Sequence, residues 1–285
     1  MNREIKLVES SQESNKIGIF PLFNFRVTEE LNKKIKDGFQ FSNKVILRQI
    51  TKEDINRFRE PLPYLWHDGA YLLYNLNMKT YVLEIEGNFN QADRLAYEVL
   101  LAMRLHKTES VFYKMYKIEE KSKIIEFGCI NPPPPYRPST YQLNISEIED
   151  VNEWVTKINK VKLDTNSSFR VACDRFNRFY EERRVDDQII DLAIAFEALF
   201  TGDIKDRLEN MGIIAGLACS MLLGKTTKDR QKIKEFLKKL FETRNDIVHK
   251  TKFKTKIIIN GKEYEIKEFS VQLQEYLRDS IKKLL

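Results

Sequence analysis

The chain has 285 residues, of which 42% are hydrophobic and 32% are charged, and its formal net charge is +6. This composition is that of a globular protein with one large or two medium domains. Three widely separated cysteines without a CxxC pair exclude a disulfide framework and a zinc-ribbon site. The longest nearly uncharged run, residues 211–224, is shorter than the roughly 20 residues of a membrane-spanning helix, and the N-terminus lacks the apolar core of a signal peptide. We therefore expect a cytoplasmic protein that uses no metal and no cofactor and has no membrane partner.

The first 130 residues are predicted to form an α+β domain. Apolar residues predict strands over residues 16–27, with an interruption at Pro21, over residues 44–50 and over residues 80–86, and a hairpin over residues 111–130. Residues 90–106 carry apolar side chains at helical spacing. The His67–Asp68 pair is followed by Gly69, which is more typical of a turn than of a catalytic pair. The aromatic residues around that pair are predicted to belong to the core.

Residues 131–144 are predicted to be a proline-rich linker. They include four consecutive prolines, Pro132 to Pro135. A run of prolines favours a stiff, extended connector that joins neither a helix nor a sheet. We therefore expect residues 145–285 to form a second domain.

The second domain is predicted to be an all-α bundle with one small β-hairpin. Apolar residues at helical spacing predict helices over residues 167–184, 185–200, 206–223, 228–249 and 268–285. The helix over residues 185–200 is apolar nearly all round, which indicates a central position. Gly212, Gly216 and Ser220 leave a flat face on the next helix, against which another helix can pack closely. Asn260–Gly261 predicts a type I′ hairpin turn.

The helix over residues 228–249 has a charged residue on its apolar stripe. The stripe consists of Ile233, Phe236, Leu237, Leu240 and Phe241, and Arg244 occupies the next place. Arginine is rarely buried without a partner, so we expect Arg244 at a rim or an interface. Glu197 lies among apolar neighbours in the central helix, and we expect it to pair with Arg244. The alternative is that Glu197 emerges at the edge of its helix.

The segment around Arg244 is strongly basic. Residues 225–256 contain twelve Lys and Arg residues against four Asp and Glu residues, a net charge of +8. A run of charges is often no more than a solvated face. Next to an arginine and a histidine, however, a positive field is also what a phosphate-bearing substrate requires.

Arg244, Asn245 and His249 form an Arg-x4-His pattern late in the helical domain, downstream of a helix that ends in Phe196-Glu-Ala-Leu-Phe200. This pattern resembles the Arg-x4–6-His signature of the HEPN superfamily, and residues 165–285 are most similar to its Apea-like branch. The resemblance implies an HEPN-like helical bundle and a metal-independent endoribonuclease, commonly a toxin or a phage-defence effector. In that family, dimerisation brings two Arg/His motifs into one cleft.

By position, the resemblance makes Arg244, Asn245 and His249 the catalytic residues, with Glu197 and Asp246 in support. The implied partners are RNA (tRNA being one candidate), a second copy of the chain, and an antitoxin or regulatory partner. By analogy, the N-terminal domain would act as a sensor or regulator. The basic side chains expected to bind RNA are Lys225, Lys228, Lys232, Lys239, Lys250 and Lys252.

The residue types suit RNA cleavage without a metal. That reaction needs a base, an acid and a positive charge on the phosphorane. His249 can transfer protons near neutral pH, and Arg244 can hold a phosphate bidentately. The two residues are five positions apart, which is about 140° around a regular helix, so one straight helix cannot aim both at one phosphate. A helix that ends near His249, or a second copy across a two-fold axis, would bring them together.

Two other interpretations remain open. The domain could be an HEPN domain without catalysis that serves as a binding or dimerisation module for RNA or a protein. It could also be an unrelated helical domain, in which Arg244 and His249 only cap and solvate a helix end.

Overall fold

A computed structural model describes residues 16–35, 37–59, 76–77, 79–109, 111–113, 115–121, 123–129, 140–161, 167–182, 184–202, 211–250 and 254–285, without the side chains of residues 115, 125–129 and 250. Helices and strands are numbered in chain order over these residues. The His67–Asp68 pair, the four prolines and Lys252 lie outside the described residues, so the predictions about them stay predictions.

The N-terminal region is built on one antiparallel sheet. Its described strands are β1 (Lys16–Phe23), β3 (Phe39–Ser42), β4 (Val45–Gln49), β5 (Tyr81–Glu86), β6 (Phe112–Tyr113), β7 (Met115–Glu120) and β8 (Lys123–Cys129). Their order is β3-β4-β5-β1-β7-β8, and β6 also pairs with β1. The strands predicted over residues 44–50 and 80–86 and the hairpin predicted over residues 111–130 are thereby confirmed. The strand predicted over residues 16–27 forms, but its predicted interruption at Pro21 is wrong. Pro21 pairs with Val82 inside β1, and the break lies at Asn24 instead.

Helices cover both faces of this sheet. Along β1, Ile17 and Ile19 belong to a small core with α2 (Lys52–Arg59), whereas Phe20 belongs to the main core with α3 (Phe89–His106). This alternation follows from the two-residue period of a strand. At Gly18, α3 approaches closely, because an added Cβ would lie 3.0 Å from the Cβ of Ala92. A short helix, α1 (Glu29–Lys34), precedes β3.

The end of the predicted linker is part of the folded structure. Residues Tyr141–Leu143 form strand β9, which pairs in parallel with β2 (Phe25–Val27). Tyr141 and Leu143 are fully buried. The main hydrophobic core runs without a break from Phe20 in the sheet to Phe236 in the helical region. The remainder of the predicted linker lies outside the described residues.

The C-terminal region is helical, as predicted. Its described helices are α4 (Ile148–Val161), α5 (Ser168–Phe179), α6 (Val185–Thr201), α7 (Met211–Leu223), α8 (Thr227–Lys250) and α9 (Ile266–Leu284). Helix α6 packs against α5, α7, α8 and α9, which confirms its central position. Strands β10 (Lys256–Ile259) and β11 (Lys262–Glu265) form the predicted hairpin, and the positive φ angles of Asn260 (50°) and Gly261 (76°) agree with a type I′ turn. The described helices include none that is long and apolar enough to span a membrane.

Candidate functional site in helix α8

Helix α8 presents the apolar stripe that its sequence predicts. Ile233, Phe236, Leu237 and Leu240 are each at most 4% exposed, and Phe241 and Ile247 are half-buried at its edge. Arg244 is also half-buried, so its guanidinium lies at the rim of the packed face. The helix keeps regular geometry through His249 and ends at Lys250. Arg244 therefore lies at the rim of the apolar face, which is one of the two positions predicted for it.

The guanidinium of Arg244 is held by its neighbour in the chain. Its Nη1 atom donates a hydrogen bond to Oδ1 of Asn245, with 3.0 Å between the two atoms. Among the described residues, no carboxylate forms an ion pair with Arg244. The remaining N–H groups of this arginine are thus available to a ligand, and the Nδ2 of Asn245 is left as a further donor.

The predicted ion pair between Glu197 and Arg244 does not form. Glu197 is half-buried on α6, and it is its backbone carbonyl that accepts a hydrogen bond, from Oγ1 of Thr201 at 2.6 Å. The buried carboxylate of α6 is instead Asp191, which is 4% exposed and pairs with Arg175 at 2.6 Å. Glu197 is exposed enough to stay hydrated, so burial does not force it to find a cation. This outcome matches the alternative in which Glu197 lies at a helix edge.

His249 and Asp246 differ in their surroundings. The imidazole of His249 is exposed and makes no hydrogen bond to another described residue. Asp246 accepts a hydrogen bond from Nζ of Lys254 at 2.8 Å, and its side chain is 15% exposed. Asp246 is therefore engaged in holding the segment that follows α8. On a regular helix, Arg244 and His249 point about 140° apart.

The exposed face of α8 that carries Asn245 also carries two lysines that the sequence prediction omitted. Lys234, Lys238, Asn245 and His249 are all exposed. At 100° per residue, Lys234 and Lys238 lie within about 20° of Asn245, and His249 lies one turn further on. The spacing of four, seven and four residues could have identified this row from the sequence.

The lysines predicted to bind RNA are distributed differently. Lys232 and Lys239 lie more than about 100° around the helix from Asn245. Lys239 pairs with Glu242 at 2.8 Å, whereas Lys225, Lys228 and Lys232 are exposed. The side chains of Lys250 and Lys252 are outside the described part of the chain. Lys232 and Lys239 are therefore poorly placed to act with Asn245, because they face a different direction.

Helix α7 packs closely on α8 and exposes an apolar stripe beside it. A Cβ added at Gly212 would lie 2.7 Å from the ring of Phe241, and one added at Gly216 would lie 3.5 Å from the Cβ of Leu237. The two helices are therefore antiparallel, and the predicted close packing through these glycines is confirmed. On α7, Ile213, Leu217 and Met221 are 60%, 50% and 58% exposed, and they form what we call the α7 stripe.

The α7 stripe is a second feature of this region that the sequence analysis did not predict. Helix α7 is apolar on nearly every side, which usually indicates full burial. The side with Gly212 and Gly216 is used on α8, and the α7 stripe, about 100° around the helix from it, is left at the surface. Exposed apolar patches of this kind often mark contact surfaces.

Comparison of the chain with protein-family models, with curated proteins and with solved structures gives no match. The functional argument therefore depends on the geometry of α7 and α8 and on the chemistry of their side chains.

Proposed function

We propose that this protein is a metal-independent endoribonuclease of the HEPN type, which cuts RNA at a composite site formed by two copies of the chain. The observation that carries the proposal is the exposed row of Lys234, Lys238, Asn245 and His249 on α8, with the partly free guanidinium of Arg244 next to it. Lysines track a phosphate backbone, and an arginine, an amide and an imidazole supply the groups that phosphodiester cleavage needs.

In the proposed reaction, His249 and Arg244 have different roles, and Asn245 assists Arg244. His249 has the imidazole that moves a proton between the 2′-hydroxyl, the leaving oxygen and solvent near neutral pH. Arg244 donates N–H groups to the non-bridging phosphate oxygens and stabilises the charge that develops on the phosphorane. Asn245 acts next to Arg244, since its Oδ1 fixes one edge of the guanidinium and its Nδ2 can donate to RNA.

The regular helix supports a site shared between copies. Because α8 continues through His249, a bend before the histidine does not bring it towards Arg244. The two side chains of one copy point about 140° apart, so a phosphate held by one Arg244 is better reached by the His249 of a second copy. The α7 stripe provides an exposed apolar surface beside α8 on which the second copy can pack.

One observation favours a second candidate function. Catalytic histidines are commonly oriented by a hydrogen bond to their second nitrogen, and His249 makes none to another described residue. A module that binds RNA without cutting it needs the lysine row and Arg244, but it does not need an oriented imidazole. RNA cleavage assays separate these two functions.

The first test is cleavage of total RNA by the purified protein in EDTA. Arg244→Ala is expected to slow cleavage about 10²–10³-fold, and His249→Ala about 10²–10⁴-fold. His106→Gln is the matched control, because His106 lies on α3 near Glu147 and should leave cleavage unchanged. RNA that stays intact but is bound would favour the non-catalytic module. RNA that is neither cut nor bound would contradict both functions.

The second test is the mixing of the two inactive variants. If each site takes its arginine from one copy and its histidine from the other, a mixed dimer of Arg244→Ala and His249→Ala contains one complete site. Random exchange should then restore about a quarter of the wild-type rate, because half of the dimers are mixed and each has one of its two sites intact. A site contained within one copy would give no recovery.

The third test concerns the α7 stripe. Leu217→Lys should convert a dimer into a monomer in sedimentation equilibrium and abolish cleavage, because a charged side chain at an apolar contact loses its hydration. Ile258→Lys is the control, since Ile258 is 61% exposed on β10, away from α7. A wild-type protein that is strictly monomeric would contradict the composite site.

We also propose that the N-terminal region restrains the nuclease. A nuclease that damages its own cell needs restraint, and the sheet with its two covering helices is the part of the chain left to provide it, alone or with an antitoxin. The test compares the toxicity of the full chain with that of a chain lacking residues 1–140 when each is expressed in cells. Equal toxicity would argue against this role.

A further inference from the structure

His249 lies beside a carboxylate to which it is not hydrogen-bonded. The residues one helical turn before it on α8 are Asn245 and Asp246, four and three positions earlier in the chain. Side chains at these two spacings are neighbours on the surface of a regular helix, with Cβ atoms about 5–6 Å apart. Because α8 is helical throughout this stretch, both residues lie within reach of the imidazole.

Of these two residues, Asp246 is the better acceptor for the imidazole. A histidine that is held for proton transfer donates one ring N–H to an acceptor, so that its other nitrogen can exchange a proton. The Oδ1 of Asn245 already accepts a hydrogen bond from Nη1 of Arg244 at 3.0 Å, and its Nδ2 is a donor. The preceding carboxylate on α8, Glu242, lies seven positions before His249 and is itself paired with a lysine at 2.8 Å.

The carboxylate of Asp246 is directed to a lysine instead. Nζ of Lys254 donates to Oδ2 of Asp246 at 2.8 Å, and the lysine side chain is 58% exposed whereas that of Asp246 is 15% exposed. The imidazole of His249 is exposed and makes no hydrogen bond to another described residue. Lys254 therefore holds the carboxylate that is best placed to orient His249.

The pair of Lys254 and Asp246 is of a kind that a polyanion can open. The lysine is largely in water, and ion pairs with an exposed partner contribute little to stability and weaken as salt is added. Lys254 also belongs to the basic segment of residues 225–256, whose net charge is +8. A phosphate that reaches His249 comes within about one helical turn of this pair, where it competes with the carboxylate for the ammonium group.

We propose that Asp246 is the positioning residue of His249 and that Lys254 keeps the two apart until RNA binds. The inference rests on the proposed ribonuclease function and adds regulation to the same site. When a phosphate takes Lys254, the carboxylate of Asp246 turns and accepts a hydrogen bond from Nδ1 of His249 in the same copy. This contact fixes the tautomer whose Nε2 can accept a proton, and it holds the ring in one orientation.

Single-turnover cleavage at saturating RNA tests the two members of the pair separately. Asp246→Ala should lower the cleavage rate at least about tenfold without weakening RNA binding, because the imidazole loses its acceptor. Lys254→Ala should cleave at least as fast as wild type, because the carboxylate can then turn to His249. Glu242→Gln is the matched control, since Glu242 is another α8 carboxylate paired with a lysine, and it should leave the rate unchanged.

A purely structural role of the ion pair predicts a different pattern. If the pair only held the segment that follows α8, Asp246→Ala and Lys254→Ala would remove the same contact and would change cleavage equally. Equal effects of these two variants would overturn the proposal, and so would a wild-type rate in Asp246→Ala. Asp246→Glu should restore the rate to within about threefold of wild type, because a longer carboxylate still reaches a side chain three positions further on.

Nitrogen NMR of the histidine rings gives a readout that does not depend on cleavage. The chain has three histidines, so the signals of His249 can be assigned by comparison with His249→Ala. A mixed-sequence RNA whose 2′-hydroxyls are all methylated should move the proton of the neutral ring to Nδ1 in wild type but not in Asp246→Ala. Lys254→Ala should carry this proton on Nδ1 without RNA.

The two readouts separate failure of the inference from failure of the ribonuclease function. If RNA stays intact while the proton moves to Nδ1 as expected, the ribonuclease function is wrong and the positioning role of Asp246 stands. If RNA is cut but the ring of His249 is the same in wild type, Asp246→Ala and Lys254→Ala, the positioning role is overturned and the ribonuclease function stands.

Discussion

Arg244 and Asn245, which are adjacent on α8, are joined by a hydrogen bond of 3.0 Å between Nη1 of the guanidinium and Oδ1 of the amide. An amide oxygen orients a guanidinium without neutralising it, whereas a carboxylate at the same place would form an ion pair. Asn245 therefore positions the positive charge of Arg244 and leaves it available to a phosphate.

Substitutions at Asn245 should separate positioning from neutralisation. Asn245→Ala removes one hydrogen bond to a charged group, which predicts a loss of about tenfold in kcat/KM. Asn245→Asp should be worse, about 100-fold, because the new carboxylate pairs with Arg244 and repels the phosphate. The measurement is single-turnover cleavage of an end-labelled RNA, and equal losses in the two variants would contradict the positioning role.

The two sides of α8 should differ in their contribution to RNA affinity. Lys238 faces the same way as Asn245, and Lys232 faces more than about 100° away. In a His249→Ala background, Lys238→Ala should weaken RNA binding and reduce the slope of log K against log salt by about one unit. Lys232→Ala should change neither quantity. Fluorescence anisotropy at several salt concentrations measures both, and equal effects would contradict the assigned face.

The contact between α7 and α8 predicts opposite results at two glycines. Gly212→Ala would place a Cβ 2.7 Å from the ring of Phe241, and such crowding destabilises by about 1–3 kcal/mol. At Gly216 the nearest atom is 3.5 Å away, so alanine fits and gains up to about 1 kcal/mol of helix propensity. Urea unfolding of the two variants checks this difference, and a Gly212→Ala protein as stable as wild type would contradict the packing.

A buried charge network beneath α2 makes stability depend on pH. Asp54 is 7% exposed and accepts hydrogen bonds from Arg48 at 2.7 Å and from Lys117 at 3.1 Å, while Lys117 is fully buried. Burial alone would raise the pKa of Asp54, but the hydrogen bonds from Arg48 and from the backbone of Thr51 lower it well below its usual range. The folded state therefore favours the charged carboxylate.

Because the folded state lowers the pKa of Asp54, the free energy of unfolding is expected to fall at acidic pH; we call this fall the acid limb. The unfolded carboxyl has a pKa of about 3.9, so the contribution of Asp54 is complete above about pH 4 and is lost as the pH falls below it, by at most about 1.4 kcal/mol per pH unit. Asp54→Asn should be less stable at pH 7 and should lack part of this limb. Glu153→Gln, at an exposed position on α4, is the control and should retain it. Urea titrations between pH 3 and pH 7 provide the comparison, and matching limbs in wild type and Asp54→Asn would refute it.

Local patterns in the sequence were sufficient for most of the secondary structure. The strand β5, the helical stripe of α8 and the Asn260–Gly261 turn are each encoded in a few neighbouring residues, and each is formed as predicted. The half-buried position of Arg244 also follows from its place on that stripe. Such features depend on the period of a helix or strand and not on distant partners.

Contacts between residues that are distant in the sequence could not be predicted from local patterns. The spacing of apolar residues placed Glu197 among hydrophobic neighbours, but the packing of α6 buries Asp191 instead and pairs it with Arg175. A residue is buried or exposed according to which neighbouring helices cover it, and one helix does not contain that information. The same reason explains why Tyr141–Leu143, at the end of a predicted linker, form a buried strand against β2.

The sequence by itself thus determined most of the helices and strands, the basic segment and the candidate set of Arg244, Asn245 and His249, since these depend on residue type and local spacing. Only the tertiary structure decided that Asp191 and not Glu197 is the buried carboxylate of α6, that α7 leaves an apolar stripe at the surface, and that Tyr141–Leu143 pair with β2. These features arise where separate elements meet. A side chain is buried or exposed according to the neighbouring helices and strands that cover it, and the sequence of one element does not contain that information.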